Sequence, residues 1–265
     1  AEAMELNYWT GSTCTAARYD ETAGAWSLKV DRDGEEIELN PRQLVLATGA
    51  YGPPYMPDFP GAETFSGELI HSGAYVDGTG RAWVGNFGFD LDGEIAKRGV
   101  DSVLADHPAA NLVRVDPDGS VHLAAADMHF PNGSVVTPDG ATLIVAETLG
   151  LRLTAFDIGP GGELANRRVW AEVGLRAPDG ICLDAAGNVW VANAIAPECV
   201  LVAPGGEILA TVETSRNCYA CMLGGDDGRD LFMVTAESSD PQEAAAARTG
   251  RIETVRVETA GAGWP

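Results

Sequence analysis

Basic residues are scarce in this chain. Lys and Arg together number 17 against 39 Asp and Glu in 265 residues, a formal charge of −22. So acidic a surface repels a phosphate backbone, so no nucleic-acid partner is expected; the charge reads as a solvated coat that favours solubility. Long apolar runs are missing as well. No stretch approaches the roughly 20 residues a membrane helix needs, and neither a leader peptide nor a membrane partner is expected. The five cysteines are an odd number without disulfide-framework spacing, which points to a reducing, cytoplasmic setting. Cys218-Tyr219-Ala220-Cys221 has redox or zinc spacing, but a zinc site needs two more ligands and a thioredoxin-like motif needs a βαβ setting, so core thiols are expected there. No Gly-x-Ser-x-Gly elbow occurs, which removes a serine-hydrolase mechanism. No Gly-x-Gly-x-x-Gly loop occurs either. Gly78-Thr79-Gly80-Arg81-Ala82-Trp83 comes nearest, with Trp83 where the third Gly belongs, so a dinucleotide has no phosphate cradle. The chain opens on Ala1 rather than Met, which reads as a trimmed chain or a fragment.

What is present is 45% hydrophobic residues, enough for a sizeable core, and 32 glycines, enough for many tight turns. Two stretches read almost as copies: Pro131-Asn132-Gly133 through Glu147, and Pro178-Asp179-Gly180 through Asn193. Each has a Pro, an amide or carboxylate, a Gly, an apolar run, an Asp/Gly-type turn and a second apolar run, the pattern of a β-hairpin. Asn132 and Asp179 fall at the same phase, so stacking the copies around an axis brings two oxygen donors together. The same unit recurs around Gly80 and Gly228, and the steps from Gly80 through Gly140 and Gly187 to Gly228 are 60, 47 and 41 residues. The last two steps fit a four-stranded propeller blade of roughly 40–50 residues, and the first fits one carrying an insertion over about 89–109. Second hairpins at 112–123, 153–170 and 199–210 complete four strands per repeat. A short helix over 240–248 and a final strand over 251–257 are expected.

The first 75 residues differ in character. Strands over 13–19, 26–30 and 36–39 form a β-meander with a turn at Asp31-Arg32-Asp33-Gly34. Then Leu46-Ala47-Thr48-Gly49, the loop Met56-Pro57-Asp58-Phe59-Pro60-Gly61, Phe65-Ser66-Gly67-Glu68 and His71-Ser72 follow in order. Over about residues 4–75 this run resembles flavin-containing monooxygenases, in which the Ala-Thr-Gly strand end lies beside the flavin. Without the phosphate-cradling loops, FAD is not expected in this chain.

Residues 76–265 resemble the senescence-marker-protein, gluconolactonase and luciferin-regenerating-enzyme family. The resemblance is carried by Asn132-Gly133 with Pro138-Asp139-Gly140, by Pro178-Asp179-Gly180-Ile181-Cys182-Leu183-Asp184 with Gly187-Asn188-Val189-Trp190, and by Cys221-Met222-Leu223-Gly224-Gly225. The ending, Gly261-Ala262-Gly263-Trp264-Pro265, looks like a natural end for that family. The resemblance implies a six-bladed β-propeller with one divalent metal (Ca, Mg, Mn or Zn) on its axis, and hydrolysis of a small-molecule lactone. It implies Asn132 and Asp179 as metal ligands and Asp179 as general base, and hard oxygen donors suit such cations. Asn-Gly and Asp-Gly are also ordinary turn formers; the shared phase is what favours the ligand reading. His129 reads either as a proton shuttle in the substrate pocket or as a loop histidine, and Glu147 and Asn193, ending equivalent strands, either face the substrate or serve as turn residues.

Two departures stand out. The acidic ligand that the family carries in its first blades has no counterpart before residue 76, and Ser72-Gly73 replaces an Asn-Asp pair. The fold expected is therefore all-β: an incomplete, about four-bladed remnant of a six-bladed propeller (76–265) behind a small β-rich flavoprotein-like fragment (1–75), a chimera joined near Tyr75. Four repeats cannot close a six-bladed ring, so the open blade faces need cover from the first 75 residues or from dimerisation. Three functions compete: a metal-dependent lactone hydrolase, a flavin-monooxygenase fragment, and a non-catalytic propeller scaffold.

Overall fold

A computed structural model describes residues 12–20, 25–32, 34–39, 80–85, 87–247 and 249–263. The chain divides into two units, Ala1–Gly73 and Ala74–Pro265, and each is taken by itself. In the first, β1 (Ser12–Asp20), β2 (Ala25–Arg32) and β3 (Glu35–Leu39) form an antiparallel meander in sequential order. Asp31 closes the second turn by accepting from the backbone N–H of Gly34 at 3.2 Å, and Lys29 pairs across the sheet with Glu36 at 2.8 Å. The motifs from Leu46 to Ser72 that carry the flavin-monooxygenase resemblance, together with the junction near Tyr75, lie outside the described residues.

Among its described residues the second unit contains four antiparallel sheets in chain order. They are β4 (Ala82–Gly85), β5 (Ala110–Val115) and β6 (Val121–Met128); β7 (Pro131–Val136), β8 (Thr142–Glu147), β9 (Arg152–Ile158) and β10 (Leu164–Glu172); β11 (Pro178–Leu183), β12 (Val189–Asn193), β13 (Glu198–Val202) and β14 (Ile208–Glu213); and β15 (Asn217–Gly224), β16 (Asp230–Ala236) and β17 (Arg251–Arg256). Four strands per repeat holds for the two middle sheets, whereas the outer two have three strands each among the described residues.

Alternation explains the stacking. Leu143 and Val145 of β8 enter one core with Leu112, Met128 and Phe156, while Ile144 and Ala146 enter the next with Val189 and Val191 of β12. On β12, Trp190 and Ala192 turn the other way, into a third core with Cys182, Cys199, Cys218, Cys221 and Leu231. A strand sandwiched between sheets buries both faces, which is why β12 reads as the unbroken apolar run Val-Trp-Val-Ala and is buried at every position. The CxxC thiols lie in this third core, as its spacing without further ligands predicts.

The chain is mostly β rather than all-β. The insertion expected between β4 and β5 forms two helices, α1 (Leu91–Arg98) and α2 (Val100–Ala105). Asp90 caps α1 by accepting from the backbone N–H of Gly93 at 3.1 Å, and Asp92 and Glu94 in the first turn with Lys97 and Arg98 in the last complement the helix dipole. These caps fall on a single short segment with no sustained period, so the sequence pattern shows an insertion without its conformation. The expected helix near 240 is α3 (Pro241–Ala247).

Candidate functional site

The first strands of successive sheets, β7, β11 and β15, approach one another closely, and two glycines permit it. A Cβ on Gly133 would lie 2.5 Å from the carbonyl oxygen of Asp179 and 2.7 Å from the backbone nitrogen of Ile181; a Cβ on Gly180 would lie 2.7 Å from Cα of Ala220. No side chain fits in either gap, so Asn132-Gly133 lies directly against Asp179-Gly180, and Gly180 directly against β15.

Each of these strands carries an irregularity at the same point. Pro131 pairs with Glu147 and Ser134 with Val145, so Asn132 and Gly133 together oppose Ala146. Pro178 pairs with Asn193 and Ile181 with Val191, so Asp179 and Gly180 oppose Ala192. In β15, Tyr219 is the extra residue between Cys218 and Ala220. A bulge adds one residue and re-aims its side chain. Asn132 and Asp179 are therefore matched by local geometry as well as by repeat phase.

Asn132 Nδ2 donates to Thr148 Oγ1 at 3.3 Å, and the same amide favours the charged form of the Asp179 carboxyl. Thr148 Oγ1 in turn donates to the carbonyl of Pro178 at 2.8 Å, tying the two hairpins together. Donation through the amide nitrogen leaves Asn132 Oδ1 as an acceptor. Burial pushes the Asp179 carboxyl from its ordinary value up to about 7, and the Asn132 amide offsets only part of that. The pair thus presents a poorly compensated carboxyl beside an amide oxygen, a fit for a hard cation. Two protein oxygens fill only part of the shell of a cation that takes about six to eight donors, and no group of three His, Cys, Asp or Glu suited to a metal occurs among the described residues.

The other predicted residues are placed differently. Glu147 is fully buried. Its carboxylate accepts from Thr154 Oγ1 at 2.5 Å, from the backbone N–H of His129 at 2.6 Å and from Arg152 at 3.1 Å. Burial acts to raise its pKa, but these bonds outweigh burial and hold the carboxyl below its ordinary value. Asn193, the counterpart of Glu147 one sheet on, accepts from the backbone of Ala177 at 3.2 Å and donates to Glu198 at 2.9 Å. Both side chains are engaged in holding strand ends together.

His129 lies three residues before Asn132, and its Nδ1 is 2.9 Å from Nε2 of His107. Phe130, between His129 and Asn132 in sequence, has φ 59°, a left-handed conformation that costs a bulky residue about 1–2 kcal/mol. The ring of Phe130 stacks on Phe87 at 4.4 Å and meets Phe89 edge-on at 5.9 Å, so aromatic packing holds the strained residue in place. His107, Phe87, Phe89 and Thr148 are neighbours that the sequence reading did not single out. The aromatics and His107 flank or lie in the insertion, where no repeat phase marks a position.

Comparison with known proteins places these residues in a family. The family model described as the SMP-30/Gluconolactonase/LRE-like region matches residues 72–237, and the chain belongs to that family. It is 30% identical over 177 residues to regucalcin of Danio rerio (64% of this chain, 56% of the relative), and 25% identical over 166 residues to 6-deoxy-6-sulfogluconolactonase of Pseudomonas putida (60% and 57%). The chain therefore spans just over half the length of these relatives. A separate likeness, 44% identical over 64 residues, is to the probable indole-3-pyruvate monooxygenase YUCCA9 of Arabidopsis thaliana (24% of this chain, 15% of the relative). Among solved structures, a luciferin-regenerating enzyme superposes with a TM-score of 0.56 at 16% identity, covering 92% of this chain and 78% of that one. Regucalcin of Agrobacterium tumefaciens, described as a calcium-binding protein, superposes at 0.52 with 23% identity over 61% of this chain and 57% of its own. Both likenesses are of fold.

Proposed function

We propose that this chain is a lactone hydrolase dependent on a divalent cation, built on an incomplete propeller. The observation that carries the reading is the Asn132–Asp179 pair: matched bulges, a backbone approach that only Gly133 allows, and a half-buried carboxyl raised to about 7 with little else to stabilise its charge. Family membership adds the reaction class, since named relatives include a sulfogluconolactonase, and the calcium-binding regucalcin makes calcium the first cation to test.

In this reading, Asn132 Oδ1 and the Asp179 carboxylate would hold the cation, with water completing its shell. The cation, when bound, polarises the lactone carbonyl. Asp179 takes a proton from the attacking water as general base. Thr148 fixes the Asn132 amide so that its nitrogen points to protein and its oxygen is left for the ligand. His129 belongs to the substrate side of the site, while Glu147 and Asn193 shape it by fixing the strand ends that flank the bulges. The thiols buried in the third core fit a reducing, cytoplasmic setting.

The four sheets are proposed as a partial ring, about four blades of a six-bladed propeller, following a flavin-monooxygenase-like fragment. On the last sheet Met222, Phe232, Val234 and Ile252 are exposed, and the pairings Met222–Phe232 and Val234–Ile252 put them on one face. That is the face a further blade would cover, and dimerisation is the alternative cover.

The test is hydrolysis of D-glucono-1,5-lactone by the purified chain with calcium and with chelator. Turnover that needs the cation and disappears in Asp179→Ala supports the reading. Equal rates in the parent, Asn132→Ala and Asp179→Ala would sink it and leave a non-catalytic scaffold. A flavin absorbance that co-purifies with the protein would instead favour a monooxygenase role for the first unit.

A further inference from the structure

The fourth sheet repeats the geometry of the site with a different side chain. In β7, Asn132 and Gly133 together oppose Ala146, and in β11 Asp179 and Gly180 oppose Ala192. In β15, Cys218 pairs with Thr235 and Cys221 with Met233, so Tyr219 and Ala220 share Val234. Ala220 therefore takes the place of the two glycines, and Tyr219 that of Asn132 and Asp179. The strand ends across from them agree. Thr235 stands where Glu147 and Asn193 stand, and like them it is buried and bonded, donating to Glu253 at 2.8 Å.

Backbone contact puts Tyr219 beside Asp179. A Cβ on Gly180 would lie 2.7 Å from Cα of Ala220 and 3.0 Å from the carbonyl oxygen of Tyr219. Asp179-Gly180 thus rests on Tyr219-Ala220 as Asn132-Gly133 rests on Asp179-Gly180. Cys218 and Cys221 turn into the third core, whereas Tyr219, re-aimed by the bulge, is half-buried and outside it. A buried tyrosine hydroxyl usually finds a hydrogen-bond partner; that of Tyr219 has none among the described residues.

Side-chain length decides what this hydroxyl can reach. Asn132 and Asp179 carry their oxygens two bonds beyond Cβ, while Tyr219 carries its oxygen on the far side of a ring. From a matching backbone position it cannot share the point where the two shorter side chains converge. It extends past that point, towards whatever the point holds. A phenol offers an apolar face and a hydroxyl that both donates and accepts, which complements a hydroxylated ring better than a bare cation.

We propose that Tyr219 is the third residue of the Asn132–Asp179 site and selects a polyhydroxylated lactone. Its ring walls the site on the β15 side, and its hydroxyl pairs with a hydroxyl of the substrate. The proposal rests on the lactonase reading for the position of that substrate.

Lactams separate binding from turnover, because an amide replaces the ester that is hydrolysed. The test is NMR titration of the full chain, with calcium, by D-glucono-1,5-lactam and by δ-valerolactam, its counterpart without hydroxyls. Tyr219→Phe removes only the hydroxyl. It is expected to weaken gluconolactam binding about tenfold, the scale of one hydrogen bond, and to leave δ-valerolactam unchanged. In turnover of D-glucono-1,5-lactone the same loss should appear in KM with kcat retained. The Tm of the variant should match the parent's, because the hydroxyl holds nothing in the fold. A fall in Tm would show the hydroxyl bonded within the protein and overturn the proposal. So would equal weakening of both lactams, a gluconolactam affinity that the variant leaves unchanged, or a parent that binds no gluconolactam. A parent that binds gluconolactam through Tyr219 yet hydrolyses no lactone supports the binding role and sinks the hydrolase reading. A parent that hydrolyses the lactone equally well with and without the hydroxyl keeps the hydrolase reading and sinks the role of Tyr219.

Discussion

Asp179→Asn is expected to make this protein more stable at pH 8 while removing its activity. The folded-state pKa of Asp179 is raised to about 7 from an ordinary 3.8. A raised carboxyl pKa means that the folded state binds the proton more tightly than the unfolded chain does. The associated stability is complete below about 4 and is lost as pH rises towards 7 and above. Holding the ionised carboxylate in place at pH 8 without a cation then costs about 4 kcal/mol. Asn removes that cost and forfeits part of the interaction with the Asn132 amide, about 1 kcal/mol. The net gain is about 3 kcal/mol, or roughly 6–12 °C in Tm for a unit of this size. At pH 4.5 the native carboxyl is already protonated and the gain should vanish. Thermal melts of both proteins in chelator at the two pH values provide the assay. An Asn variant destabilised equally at both pH values would show that Asp179 is not a poorly compensated buried charge, and the site argument would fall with it.

Three further outcomes follow from the same geometry. Gly133→Ala places a Cβ 2.5 Å from the Asp179 carbonyl, so it should cost about 1–3 kcal/mol or more in urea unfolding, as overpacking does. Glu147→Gln leaves Arg152 and Arg167 facing a neutral group, and a loss of about 2–3 kcal/mol at pH 7 is expected, less than for a fully buried pair because both arginines are partly exposed. Because the pKa of Glu147 is lowered, its stabilising effect is present above the ordinary glutamate range and lost as pH falls, so the variant should show a shallower acid limb. Phe232→Glu with Ile252→Glu should convert any self-associated species to monomer in light scattering; association unchanged by the pair would place the contact elsewhere.

Much of the second unit was legible because its signals are local and repeated. Alternating apolar residues, Asp-Gly turns and the repeat spacing indicated most strands of the second unit, though not β15, and the matched phase of Asn132 and Asp179 put them at one point of successive repeats. The surroundings that decide what these residues do depend on contacts distant in sequence. Glu147 and Asn193 share the repeat phase of strand ends, yet their roles come from partners such as His129, Arg152, Ala177 and Glu198, which no pattern links to them. His107 lies 22 residues from His129 in a segment without periodicity, and only the fold of α1 and α2 brings the rings together. The bulges were invisible for a related reason: one extra residue in a strand leaves the apolar pattern nearly intact while re-aiming the side chain that matters.

The most direct test of the cation site is calorimetric titration of calcium into the metal-free protein at pH 8 and pH 5.5, with Asp179→Asn and Asn132→Ala alongside. The account predicts one binding event per chain at pH 8. That event should weaken at least tenfold at pH 5.5 as the proton competes for Asp179, and both variants should lose it. Binding that persists in the variants, or that is indifferent to pH across this range, would contradict the assignment of Asn132 and Asp179 as its ligands.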